Sequence, residues 1–347
     1  MNIAHAEAVS CSKVSCCSLY QRFVTIPLRK EPNLMKLHLL SVASTFLLCS
    51  AALAQNPAAD TKPKEFQAGK PLGATNEAGQ FVTMTSNVKV YGSFRFAESV
   101  TYDATRNLIV VMNAGVAQTQ EPNDGYVSLL NPDGTVHTAK WIGATRDGLT
   151  LNHPLGSCIQ GGVLYTADID TVRTFDLATG RPGKAFHVPG STILNGIGVT
   201  KEGTIFVSNT RNPECLYKIT SSGEVSTVVD GKPLALPNGV AIDNDSNVVV
   251  VNVGDNAVLT FDQSGKLLRT EHAAEGGNDG IVILSDGTKY ISSVRYGSVS
   301  QIRPGKPAKI IAAGIPSAAS MGYDSKQHQL IIPMNPNNAV AFIKLAD

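Results

Sequence analysis

At 347 residues and a formal net charge of +1, the chain is long enough to bury a sizeable core. It carries no excess charge that would draw it to nucleic acid or to an anionic membrane. Glycine is abundant, with 31 residues, tryptophan is single, and long stretches of helical periodicity are scarce, a balance that suits an all-β chain with many short turns.

The chain opens on segments outside any fold. Met35-Lys36 looks like a second start, followed by a mostly apolar run over 37–53 and the small-x-small pattern Ala52-Leu53-Ala54. Residues 35–54 therefore read as a secretory signal peptide, and 1–34 as an upstream leader or a mis-called start. The apolar run is short for a membrane span, and Cys49 follows Leu48 instead of the small residue a lipoprotein cleavage site requires. The expectation is an exported protein, periplasmic or secreted after cleavage near Ala54, with no stable membrane span in the mature form. Residues 55–78 are polar with no apolar period and read as a flexible tether, and the folded domain is expected over 79–347. Of the six cysteines, only Cys158 and Cys215 remain beyond residue 54. They form no disulfide framework, and Cys158 falls in an expected inner strand as a buried thiol.

From residue 79 onward one plan repeats. Leu236 to Val253 reads as a short apolar strand (Val240, Ala241, Ile242), a turn over Asp243 to Asn247 and a second strand, Val248 to Val251, apolar on both faces. The same plan runs from Leu194-Asn195-Gly196 to Asn209, and from Asn278-Asp279-Gly280 to Val294. Asn195, Asn238 and Asp279 stand 43 and then 41 residues apart, a period that signals four-stranded propeller blades. Further repeats open at Phe96-Ala97-Glu98, at His153-Pro154 and near Ser320-Met321-Gly322. The reading is a six-bladed β-propeller. Val88 to Tyr91, ahead of the first repeat, is expected to pair with the C-terminal blade and remove an exposed edge. Extra length at 114–126 and 144–151 in the first repeat is expected to form pocket walls or a lid.

In a propeller the residues that open each repeat and those that close its second strand share one rim. The opening set is Glu98, Pro154, Asn195, Asn238, Asp279 and Ser320; the closing set includes Asn113, Asp168, Asn209, Asn252, Arg295 and Asn335. Innermost strands crowd around the axis, so Glu98, Asn195, Asn238 and Asp279 should converge. Two carboxylates and two amides facing each other are costly without a cation, and hard oxygen donors of this kind suit Ca²⁺ or Mg²⁺. The competing reading is that Asn-Gly and Asp-Gly are ordinary turn signals, although Glu98 is not a favoured turn residue. His153 at the second entrance is a candidate proton acceptor. Arg295 could steer an anionic substrate, and Asp168 could contact substrate or bond the rim.

The set Glu98, Asn195, Asn238-Gly239 and Asn278-Asp279-Gly280, on six short blades, resembles the senescence-marker-protein/gluconolactonase/luciferin-regenerating-enzyme-like family over roughly residues 94–345. The resemblance implies a divalent ion held by Glu98, Asn238 and Asp279, with Asn195 on substrate or bound water. Ca²⁺ is the first expectation, with Mg²⁺, Mn²⁺ or Zn²⁺ as alternatives. It also implies a metal-dependent lactone hydrolase acting on a small molecule. Asp279 could be ligand and general base together, with His153 as the other base, and Asp168, Asn209 and Arg295 as further substrate contacts. Two positions depart from the family pattern. Ser99-Val100 follows Glu98 where Gly-Pro is common, and Ile193 stands two positions before Asn195 where an Arg is common; both favour a less polar lactone or ester over a sugar lactone. No Gly-x-Ser-x-Gly elbow is present, which disfavours a covalent serine route. The rival readings are a non-catalytic propeller that binds a protein, peptide or glycan on its rim, and a strictosidine-synthase-like condensing enzyme acting without metal. No protein partner is implied.

Overall fold

The structure is a computed structural model that describes residues 71–76, 78–116, 122–143 and 149–346, all within the compact unit Lys62–Asp347. The expected leader, signal peptide and most of the tether lie outside the described residues, as do 117–121 and 144–148 in the two long segments of the first repeat.

Six four-stranded antiparallel sheets follow one another along the chain. Their innermost strands are Ala97–Asp103, Pro154–Gln160, Leu194–Val199, Pro237–Ile242, Asn278–Ile283 and Gly322–Asp324, opening blades one to six. Each passes by a tight turn to a second strand that is buried almost throughout, such as Leu108–Asn113 and Val248–Asn252. These second strands lie between sheets on both faces, so β-branched residues fill successive positions without alternation. Outermost strands such as Leu267–His272 are largely exposed and carry the charge. Apolar side chains interlock from blade to blade: Phe206 and Leu216 of the third pack with Val248, Val250 and Phe261 of the fourth. A buried side chain of this size contributes roughly 1.5–3 kcal/mol, and the contact recurs at each blade junction, so the ring is held by many moderate contributions. The only helical element among the described residues is a 3₁₀ turn, Asn335–Asn337.

The N-terminal strand closes the ring as expected. Val88–Gly92 pairs with Ala339–Lys344 as the outer strand of the sixth blade, Tyr91 facing Val340. Near the axis a second closure joins blade six to blade one: the Val100 amide donates to the Ser320 carbonyl at 3.0 Å and the Ser320 amide to the Glu98 carbonyl at 3.2 Å. Order begins earlier than the expected boundary at 78. Ala74–Thr75 pairs with Phe81–Val82 as a small hairpin, and Thr75 donates from its backbone amide to Asn337 Oδ1 at 3.1 Å. The Asn337 side chain, in the 3₁₀ turn, therefore defines a docking point that the polar composition of 55–78 concealed.

Candidate functional site

The four predicted oxygen donors share one local device. In the third blade Leu194 pairs with Asn209 and Ile197 with Val207, so Asn195 and Gly196 together oppose Ser208 alone. The fourth and fifth blades repeat it, with Asn238-Gly239 opposite Val251 and Asp279-Gly280 opposite Ser292. In the first blade Ala97 pairs with Asn113 and Ser99 with Met112, leaving Glu98 as the extra residue. These are β-bulges, and a bulge re-aims a side chain that regular pleating would turn into the sheet stack. The Asn-Gly and Asp-Gly pairs, ambiguous in the sequence, are therefore bulges inside innermost strands and not hairpin turns. The second blade has the same bulge but presents Leu155, so one sector of the axis is apolar.

The glycine of each bulge has a steric reason. A Cβ on Gly196 would stand 2.1 Å from the Asn238 carbonyl oxygen, and one on Gly239 would stand 2.4 Å from that of Asp279. Each donor's backbone presses on the glycine of the preceding blade, which is how neighbouring innermost strands come close enough for their side chains to meet.

Glu98, Asn195, Asn238 and Asp279 line one cavity of about 740 Å³, and none is more than 6% exposed. Asn238 Nδ2 donates to Asp279 Oδ2 at 3.0 Å, which turns Asn238 Oδ1 away from the carboxylate. Asn335 Nδ2 donates to Glu98 Oε2, and Asn335 Oδ1 accepts from the Ser317 hydroxyl at 2.5 Å. Three buried oxygens, Asn195 Oδ1, Asn238 Oδ1 and Asp279 Oδ1, have no hydrogen-bond partner. Burial pushes the Glu98 carboxyl up to about 7, against the opposing pull of the Asn335 bond. Burial and then the Glu98 charge hold Asp279 well above the usual carboxylate range. Buried acceptors without donors are rare in folded proteins and costly. The donor chemistry fits a hard divalent cation: oxygen atoms only, two carboxylates and two amides. Among the described residues no three His, Cys, Asp or Glu side chains cluster as a metal group, so the amide oxygens are integral to any such site.

His153 lies on the cavity wall, 6% exposed. Its Nδ1 stands 2.8 Å from the Ala114 carbonyl; a carbonyl only accepts, so Nδ1 carries the proton and Nε2 is left with its lone pair. Burial lowers its pKa, and the ring stacks on Phe96 with centroids 6.3 Å apart.

The other three predicted contacts are not brought to this cavity. Asp168, fully buried, accepts from the backbone amides of Asn152 and His153 and pairs with Arg173. Asn209 accepts from the amides of Thr192 and Ile193 and donates to the carbonyls of Arg211 and Pro213. Both hold the segment entering their blade, so their polar capacity is used on backbone groups and, for Asp168, on Arg173. Arg295 is exposed at the rim and donates to the Val253 carbonyl at 3.2 Å. The prediction omitted Asn335, Phe96, Ser317 and Arg211 as lining residues. Asn335 had a signal: it belongs to the closing set with Asn113 and Asn209, although it lies one residue past its second strand, Gln329–Met334, at the start of the 3₁₀ turn.

No protein-family model and no curated protein matches this sequence. Solved structures do. A gluconolactonase from Xanthomonas campestris superposes with a TM-score of 0.57 at 16% identity, over 82% of this chain and 99% of that one. A putative gluconolactonase gives 0.57 at 13% identity, over 78% and 96%. Virginiamycin B lyase from Staphylococcus aureus gives 0.55 at 11% identity, over 76% and 100%. The chain shares their propeller fold. At such identities the likeness extends to architecture, and what the cavity does is argued from its own residues.

Proposed function

We propose that the protein is a divalent-cation-dependent hydrolase that opens a lactone or related ester in the axial cavity. The observation that carries this reading is the set of three partnerless buried oxygens beside two carboxylates that burial, and for Asp279 also the Glu98 charge, keep from ionising freely. Glu98, Asn238 and Asp279 would hold the ion, Ca²⁺ first and Mg²⁺, Mn²⁺ or Zn²⁺ as alternatives, with Asn195 beside the reacting carbonyl or water. The chemistry a divalent cation supplies when bound is polarisation of a carbonyl and acidification of water.

The chain's own groups do the rest. Apolar wall residues such as Leu155, Ile193 and Leu236 exclude bulk water around the acyl group. Water oxygen bonds to the acyl carbon, the ring carbon–oxygen bond breaks, and the proton taken from the water is returned to the leaving oxygen, which ends as a hydroxyl. Two groups can take the water proton: Asp279 through Oδ1, or His153 through the free Nε2. The same reading has the chain exported after loss of residues 35–54, on the strength of that segment's composition, and acting on a small molecule without a protein partner.

Elemental analysis of the purified protein, melting with and without chelator, and assay of alkyl lactones test the proposal together. About one divalent ion per chain is expected, with a melting temperature that falls on chelation. Glu98→Gln and Asp279→Asn should keep the fold and lose hydrolysis by about a hundredfold or more. An ion-free protein unaffected by added calcium would overturn the reading in favour of a rim-binding propeller.

A further inference from the structure

We propose that the substrate carries a carboxylate substituent remote from the reacting acyl group, bound at the mouth of the axial cavity by Arg211 and Arg295. The proposal rests on the hydrolase reading and adds the charge of what is hydrolysed. Arg211, exposed, stands just beyond the second strand of the third blade and lines the cavity itself. Arg295 stands just beyond the second strand of the fifth blade, and its guanidinium reaches across to the carbonyl of Val253, a cavity residue of the fourth. The two cations therefore flank one arc of the rim. Arg295 also lines a neighbouring cavity of about 470 Å³ that shares Val294 and Ser317 with the axial one. Arg295 thus belongs to the neighbouring cavity and touches the axial one through Val253.

Among the described residues neither arginine has a carboxylate within 4.0 Å, a state shared with Arg181 and Arg303, whereas Arg95, Arg106, Arg173 and Arg269 each have one. The nearby rim carboxylates are otherwise engaged: Asp255 accepts from Asn252 and the Ala257 amide, and Glu275 from Ser298. The cavity lining joins the buried donors Glu98 and Asp279 to the apolar side chains of Phe96, Leu155, Ile193, Leu236, Val253 and Val294 and to exposed Arg211, and Arg295 stands beside it on the Val253 carbonyl. A carboxylate remote from the acyl group is attracted at the rim, where it matches the guanidinium fork. A neutral acyl group then fits among the apolar side chains, and the charge at the rim sets which end of the substrate enters first.

The test uses a pair of alkyl γ-lactones differing only at the chain end, carboxylate against primary amide. Binding is measured by calorimetry to Asp279→Asn protein, in which turnover and direct attraction to a bound ion are both suppressed. The carboxylate should bind roughly tenfold more tightly than the amide, with a preference that shrinks as salt rises. Adding Arg211→Gln and Arg295→Gln should bring the two within about twofold. Equal affinity at low salt, or a preference that survives both substitutions, overturns the anion site. Because binding is read without turnover, failure of the wild-type protein to hydrolyse any lactone would count against the hydrolase and leave this result standing.

Discussion

Asn238 shows how one side chain is divided between structure and chemistry. Its Nδ2 donates to Asp279 Oδ2, and its Oδ1 is buried without a partner. Around it, Glu98 is pushed up to about 7 from an ordinary 4.5 by burial. Between those two values the folded protein holds a proton that the unfolded chain has released, so stability of the cation-free protein falls as pH rises from about 4.5 through 7. A bound cation replaces that proton. Chelated protein should therefore lose several degrees of melting temperature between pH 5 and pH 8, and saturating calcium should remove the slope. Glu98→Gln should reduce it without calcium and leave the share of Asp279, which burial also raises; a chelated wild type with no slope would contradict the burial argument. Asn335 acts on the same group by donating to Glu98 Oε2. Asn335→Ala removes the bond that favours the ionised form, and cation affinity should fall roughly tenfold with little change in fold, read by calcium titration. Unchanged affinity would mean that the bond has no part in positioning Glu98.

The bulged innermost strand is the unit that turns a repeat into a site, and its glycine is as necessary as its donor. Gly196→Ala would put a methyl 2.1 Å from the Asn238 carbonyl oxygen, whereas Gly198→Ala, two residues along the same strand, meets its nearest atoms at 3.4 Å. The first should cost roughly 2–4 kcal/mol and weaken cation binding, because it pushes the Asn238 strand outward; the second should stay within about 1 kcal/mol. Denaturant unfolding with calcium titration of both variants checks this, and equal effects would refute the close-approach argument. The same strand shows what the sequence made legible. The spacing of Asn195, Asn238 and Asp279 revealed both the period and the convergence, because each blade repeats one geometry. It did not distinguish a bulge from a turn, since Asn-Gly serves both and only the register across to Ser208 or Val251 decides. Asp168 and Asn209 were misplaced for a related reason. They sit at the right end of their strands, but the amides that claim their oxygens belong to the segment entering the same blade. A pattern of residue types does not reveal that competition. Asn335 reaches Glu98 across the ring closure, a pairing that period alone does not supply.

The closed ring makes the site depend on a strand far from it. Blade six holds Glu98 twice, through Asn335 on its side chain and through Ser320 on its backbone. That blade is complete only because Val88–Gly92 supplies its fourth strand. Val90 in this strand is fully buried, faces Ala341 and bridges Leu72. Val136, in the outer strand of the first blade, is 45% exposed. A carboxylate at 90 would lie among apolar side chains without a partner, costing about 3 kcal/mol or more, while one at 136 remains in water and should change stability by less than about 0.5 kcal/mol. If closure carries Glu98, Val90→Asp should lower cation affinity as well as melting temperature, although no donor has been touched, and Val136→Asp should alter neither. Hydrogen exchange locates the effect: protection should drop in Ala339–Lys344 and at Val100, whose amide bonds the Ser320 carbonyl, before it drops in the third and fourth blades. A Val90→Asp protein that melts early yet binds calcium as the wild type does would show that the donor set is held by blades one, four and five alone, and that ring closure serves stability without serving the site.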